Sequence, residues 1–162
     1  MSGRSERGGH ALLPRPGTYA LFCLAYIETA IDAGRLGRLH VAPGLYAYTG
    51  SALGAGGLRG RLAHHLRPAA RPHWHVDFLR AVAPVTRVWF SYGCGRREHL
   101  WAATFAALPG ATAPFAGFGA SDCNCASHLF RLERTLSMRA FIARLRKQEP
   151  AHPELFALEL QE

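Results

Sequence analysis

Residues 46–65 read YAYTGSALGAGGLRGRLAHH. The stretch opens inside an apolar run, residues 45–49 (LYAYT), whose aromatic content predicts a strand. Gly50, Gly54, Gly56 and Gly57 follow and predict a loop. Residues 57–67 then predict a helix that Pro68 ends. Arg61 and His65 stand four apart, so they share one helix face. A strand tyrosine, Tyr48, and a helix arginine and histidine can converge on one anionic group.

Upstream, residues 17–27 (GTYALFCLAYI) predict a central strand and supply a second tyrosine, Tyr19. Residues 33–41 alternate weakly and predict a further strand with a glycine kink, and Pro43-Gly44 predicts a turn. Downstream, residues 73–82 predict a helix whose polar side carries His73, Asp77 and Arg80, and Pro84 stops it. Residues 85–92 (VTRVWFSY) predict a strand. Residues 96–108 predict a helix with Leu100, Trp101, Phe105 and Leu108 at helical spacing, ended by Pro109-Gly110. Residues 109–122 form a long loop, a kind of segment that often carries function. Residues 127–132 predict a closing strand. Residues 137–148 predict a basic amphipathic helix with Ser137 as N-cap and Phe141, Ile142 and Leu145 as its buried stripe. The expected fold is α+β, with a small, mostly antiparallel central sheet flanked by helices. The expected organisation is a disordered leader at 1–16, one domain at 17–132 and a C-terminal helical extension at 133–162.

A chain of 162 residues suits one domain with a real core. No apolar run approaches the ~20 residues of a membrane span, and the N-terminus lacks a signal-peptide core. With no export signal the four cysteines are expected to stay reduced in the cytoplasm. Net charge is +8, and 18 of the 19 basic residues are arginine. Between Arg59 and Arg97 there are eight arginines and one acid, Asp77. Clustered arginine is the electrostatic footprint of a phosphate-backbone binder, which points to DNA or structured nucleic acid as partner. An arginine-rich composition also arises without any partner, so distribution carries the weight. The candidate contacts are Arg59, His64, Arg67, His73 and His75.

Gly17-Thr18-Tyr19, then Tyr48-Thr49-Gly50, then Leu58-x-x-Arg61-Leu62-x-x-His65 resembles the GIY-YIG nuclease superfamily. His73-Trp74-His75-x-Asp77 and Phe118-Gly119-x-Ser121-Asp122-Cys123-x-Cys125-x-Ser127-His128-Leu129-Phe130 resemble a narrower, little-characterised GIY-YIG-like family, some of whose members are fused to DNA-repair glycosylases. The resemblance implies a three-stranded central sheet flanked by helices and a metal-dependent DNA endonuclease acting in repair or processing, with a DNA-repair protein as a further partner. It places Tyr19 and Tyr48 as the motif tyrosines, Tyr19 as general base or water-orienting group. Arg61 is the phosphate-clamping arginine, His65 an assistant in proton transfer, and Glu98 the ligand of one divalent ion, Mg²⁺ or Mn²⁺. The wide separation of Tyr19 and Tyr48 implies an inserted hairpin. The asparagine that often follows the glutamate helix has no match, which leaves open a non-catalytic nucleic-acid-binding module on the same fold.

Each of these residues also has an ordinary explanation: a core tyrosine, a surface arginine, a helix-start acid favoured by the dipole. His73 and Asp77 share a helix face, but such a pair without further ligands is a weak metal signal. Asp122, Cys123, Cys125 and His128 form the narrower family's signature loop. The C-x-C spacing is tighter than a zinc knuckle's C-x₂-C, and zinc would need a fourth ligand such as Cys94 or His99. A tight loop capped by Ser121 and Asp122 is therefore the expected reading, with zinc the disfavoured one.

Overall fold

The computed structural model describes residues 11–133 and 136–160. Its centre is a five-stranded antiparallel sheet of β1 (Gly17–Ala25), β4 (Gly44–Ala52), β5 (Val85–Tyr92), β6 (Leu129–Leu132) and β7 (Phe156–Glu159), in the order β6-β4-β1-β5-β7. The expected α+β class with an antiparallel sheet is what the chain adopts. The three strands that the resemblance implies, β4, β1 and β5, form the middle, and two short strands widen it at either edge. Between β1 and β4 stands the implied hairpin, β2 (Thr29–Asp32) and β3 (Arg38–Val41), a separate two-stranded sheet. The single kinked strand expected over 33–41 is instead a 3₁₀ turn (Gly34–Leu36) followed by β3, and β2 lies just before that range. Gly37, at φ +73°, sits just ahead of β3.

Four helices flank the sheet: α1 (Gly57–His65), α2 (His75–Arg80), α3 (Glu98–Ala106) and α4 (Met138–Gln148). Side chains alternate along β1. Tyr19, Leu21 and Cys23 pack with Leu58 and Leu62 of α1, Val76 and Leu79 of α2, Tyr48, Phe90 and Phe118. Ala20 and Phe22 point the other way, into Trp89, Trp101 and Phe105, with Phe141 and Leu145 of α4. α4 begins as expected at Ser137, whose side chain accepts a hydrogen bond from the Ala140 amide. Its buried stripe is Phe141 and Leu145, with Ile142 half-buried. The helical extension expected over 133–162 thus contributes, in its described part, α4 packed on the second core and a strand, β7, paired with β5.

The leader expectation divides. Residues 1–10 lie outside the described residues. Residues 11–16 are docked, not disordered. The Leu13 and Arg15 carbonyls accept from the Arg59 and Leu58 amides, and the Pro16 carbonyl accepts from Gly93. α1 starts at Gly56-Gly57 with no side-chain cap, so its orphan amides are satisfied by this passing backbone instead.

Candidate functional site

Strand register sets the site. Tyr19 of β1 pairs with Gly50 of β4, and Leu21 pairs with Tyr48, so both tyrosines project from the same face on neighbouring strands. Gly50 is required there. A Cβ at that position would collide with the hydroxyl end of Tyr19. Tyr19 is almost wholly buried, and its hydroxyl lies 2.8 Å from Nε2 of His65 on α1. Burial pushes the Tyr19 hydroxyl up to about 12, against the lowering pull of Arg61, and pushes Tyr48 up as well.

Arg61 lies one helical turn before His65. Its guanidinium sits over the Trp74 ring, 4.6 Å from the centroid, which holds the fork in place. Trp74 precedes α2, and α2 is anchored by Asp77. The Asp77 carboxylate accepts from the His73 and Trp74 amides at 2.9 and 3.0 Å and from Arg80 Nε at 3.1 Å. Burial alone raises its pKa, but the two amides and Arg80 outweigh burial and hold it below the ordinary carboxylate range. Arg80 in turn donates to the carbonyls of His64, His65 and Arg67, closing the C-terminal end of α1. The polar residues of 73–82 therefore tie α2 to α1. Asp77 also lies with His64 and His65 in a group of metal-ligand type, but its oxygens already meet four groups: the His73 and Trp74 amides, Arg80 Nε and His64 Nε2.

Glu98 opens α3, whose body packs on the opposite face of the sheet. From its first turn the carboxylate reaches round the end of β4, where Ser51 Oγ donates to Oε2. Oε1 faces Arg96 at 3.4 Å and His99 at 3.6 Å. Tyr19, Tyr48, Gly50, Ser51, Arg61, Trp74, Arg96 and Glu98 thus line one cleft of about 130 Å³, shared with His99, Gly119, Asp122, Cys123 and His128. A larger cavity, of about 460 Å³, lies between Arg67, Pro68, Arg80, Pro84 and Leu160, away from Tyr19 and Glu98. Size does not mark the site here; the convergence of unlike groups does.

The signature loop forms the third wall. Its glycine, Gly119, has φ +68°, and a Cβ there would press on the Tyr48 ring. The Gly119 amide donates to His75 Nδ1 at 2.8 Å, so His75 holds the loop through one ring nitrogen. Ser121 and Asp122 are exposed and, with His73, Trp74 and His75, line a small adjoining pocket of about 90 Å³. Cys123 Sγ lies 3.2 Å from His128 Nε2, and Cys125 Sγ lies 3.0 Å from His99 Nδ1. Burial, with Cys123 beside it, raises the Cys125 thiol, and burial lowers His128.

Several expectations change. His65 is buried behind the cleft, among the rings of Tyr19, Tyr48 and Trp74 that line it. Burial holds its imidazole down at about 3, so it is uncharged at neutral pH beside the Tyr19 hydroxyl. His64 is turned to Asp77 and Trp74. Of the eight arginines between Arg59 and Arg97, Arg80 closes α1, Arg87 pairs with Glu159, and Arg97 pairs with Glu149. Arg59, Arg67, Arg71 and Arg96 remain exposed. Thr49 and Trp74 stood inside the quoted motifs without a role, and Ser51 stood outside them; the sheet register and the α1–α2 contact bring all three to the site.

A family model described as a domain of unknown function, DUF123, matches residues 18–149. The chain belongs to the DUF123 family. The matched DUF123 region contains both tyrosines, the signature loop and all of α1 to α4. Comparison with curated proteins and with solved structures gives no match. No helix among the described residues is long and apolar enough to cross a membrane.

Proposed function

We propose that this cleft hydrolyses phosphodiester bonds of DNA with the help of a divalent metal ion, in the manner of the GIY-YIG nucleases that the motifs resemble. One observation carries the reading: Tyr19, Tyr48, Arg61 and Glu98, from two strands and two helices on opposite faces of the sheet, line a single cleft. An ordinary core tyrosine or helix-start glutamate has no reason to meet the others there. Glu98 suits a hard oxygen-seeking ion, since Mg²⁺ and Mn²⁺ bind through one or two carboxylates and keep water in the remaining positions. When bound, such an ion supplies Lewis acidity at the phosphate.

The chain's own groups divide the remaining work. Arg61, braced on Trp74, holds two phosphate oxygens in its fork and meets the charge that grows on them. The Tyr19 hydroxyl, held by His65, orients the attacking water. With its proton retained far above neutrality, Tyr19 acts as a positioned hydrogen-bonding group at neutral pH unless cationic charge in the cleft draws that proton off. Arg59, Arg67 and Arg71 give the surrounding surface its attraction for the backbone. The high Tyr19 pKa also favours a second reading, a binding module that keeps the fold and positions a repair partner without cleavage.

The deciding experiment incubates the purified chain with a panel of duplex, nicked, flapped and branched DNAs, with Mg²⁺, Mn²⁺ or EDTA. Cleavage that needs the ion and falls by about 10²-fold or more in Glu98→Gln supports the nuclease. Salt-sensitive binding with no cleavage of any substrate gives the second reading instead.

A further inference from the structure

One end of the cleft carries chemistry that phosphodiester hydrolysis does not use. His99 of α3, Cys123 and Cys125 of the signature loop, and His128 just before β6 each bring one donor atom to within 4.8 Å of the others. We propose that these four side chains bind a structural zinc ion.

Two thiolates and two imidazoles are a soft donor set that selects zinc over magnesium or manganese. A tetrahedral zinc sets neighbouring ligand atoms about 3.3–3.8 Å apart, given its bond lengths to sulfur and nitrogen. The two close pairs here, at 3.0 and 3.2 Å, need only a small opening to reach that geometry. The C-x-C spacing matters little once the fold supplies closure. The loop is laced by Gly117 amide to Ala126 carbonyl at 2.7 Å and His128 amide to Phe118 carbonyl at 2.8 Å. Both imidazoles also have the outer partner that a zinc-bound histidine uses. Nδ1 of His128 lies 3.0 Å from Thr49 Oγ1 in a buried contact, which leaves Nε2 for the metal. Nε2 of His99 faces the Glu98 carboxylate at 3.6 Å, which leaves Nδ1 for the metal. These are the nitrogens that already point at the sulfurs.

With four protein ligands the site has no position for a substrate, so its role is structural. It would tie the first turn of α3 to β4 and to the loop before β6. Glu98 adjoins His99, so the same ion would fix where Glu98 enters the cleft. The zinc site stands whether or not the cleft cuts DNA, because it is read from ligand geometry alone.

The test uses the full chain, purified under reducing conditions and freed of loose metal by gel filtration. Mass spectrometry for metals should find about one zinc per chain, the stoichiometry of a single closed site. The Cys123→Ser/Cys125→Ser variant should retain less than about a tenth of that, while Cys94→Ser, an exposed residue outside the cluster, should retain all of it. Removing zinc with a strong chelator should lower the melting temperature by about 10 °C or more, the scale of losing a few kcal/mol in a domain of this size. If the double variant does not fold, cobalt exchange into the unaltered chain decides. Intense tetrahedral bands with thiolate charge transfer support the site. A weak octahedral spectrum, a chain that stays zinc-free after zinc is supplied, or a Cys123–Cys125 disulfide in the reduced preparation overturns it.

Discussion

The two faces of the sheet follow different rules. Toward α3 and α4 the core is closed and mostly apolar: Trp89, Trp101, Phe105 and Phe141 interlock, with ring centroids 4.5–5.5 Å apart, and buried His152 is satisfied by the Trp101 indole, which donates to its Nε2. Toward α1 and α2 the core contains Tyr19, Tyr48, His65 and Asp77 among the leucines, all buried. There His65 Nδ1 is buried with no hydrogen-bond partner among the described residues. A buried orphan nitrogen costs stability, and proteins tolerate such costs where function demands them. One face therefore holds the fold together, and the other spends part of that stability on placing polar groups.

The contrast predicts where substitutions separate stability from activity. Phe141→Ala, in the closed face, should cost about 3–5 kcal/mol, a cavity-forming loss. Cleavage per folded molecule should stay unchanged. A calorimetric melt beside an active-fraction assay checks both, and loss of activity in the folded fraction would erase the distinction. Arg80→Ala should cost about 3 kcal/mol, because it leaves Asp77 buried without its cation and opens the end of α1. Here activity should fall with stability, since Arg61 and Trp74 lose their frame.

Gly50→Ala is the sharper probe. The added Cβ must displace Tyr19, at a cost of about 1–3 kcal/mol. Its signature is a drop in cleavage larger than the drop in stability. A variant as active as the parent would show that the Tyr19 position does not matter.

How much of this was legible depends on what each element rests on. β5 matched its expected bounds because VTRVWFSY is rich in β-branched and aromatic residues and is bounded by Pro84 and Gly93. The Ser137 cap was legible because it acts within four residues. β7 was not, since the four residues FALE have no strand preference and pair only because β5 offers an edge. The tyrosines, Arg61 and Glu98 could be named as candidates, but their meeting depends on the Tyr19–Gly50 register and on α3 starting at the end of β4. Asp77 looked like a surface or metal-site acid because its four partners come from its own cap, from Arg80 and from α1. His99 joins Cys125 across 26 positions, a contact that no local spacing encodes.

Acid should distinguish the two faces least strongly but measurably. His65 has an ordinary value of 6.5 and is held at about 3 in the fold by burial. Between those values the unfolded chain takes a proton that the folded chain refuses. The stability from neutral His65 is therefore complete above pH 6.5 and is lost as pH falls toward 3. The loss should reach about 1 kcal/mol by pH 5.5. In His65→Gln the difference in melting temperature between pH 7.5 and pH 5.5 should shrink. An unchanged difference would assign the acid sensitivity to other groups.

Removing Arg61 tests the phosphodiesterase proposal most directly. Arg61→Ala and Arg61→Lys should be compared with the parent chain for metal-dependent cleavage rate and melting temperature on one DNA substrate. The alanine variant should keep a melting temperature near that of the parent, because a half-buried helix position accepts alanine. It should cleave about 10²-fold or more slowly. Lysine should restore little, since a point charge neither copies the fork nor stacks flat on Trp74. Cleavage at the parental rate by a folded Arg61→Ala chain would contradict the proposal and place the activity outside this cleft.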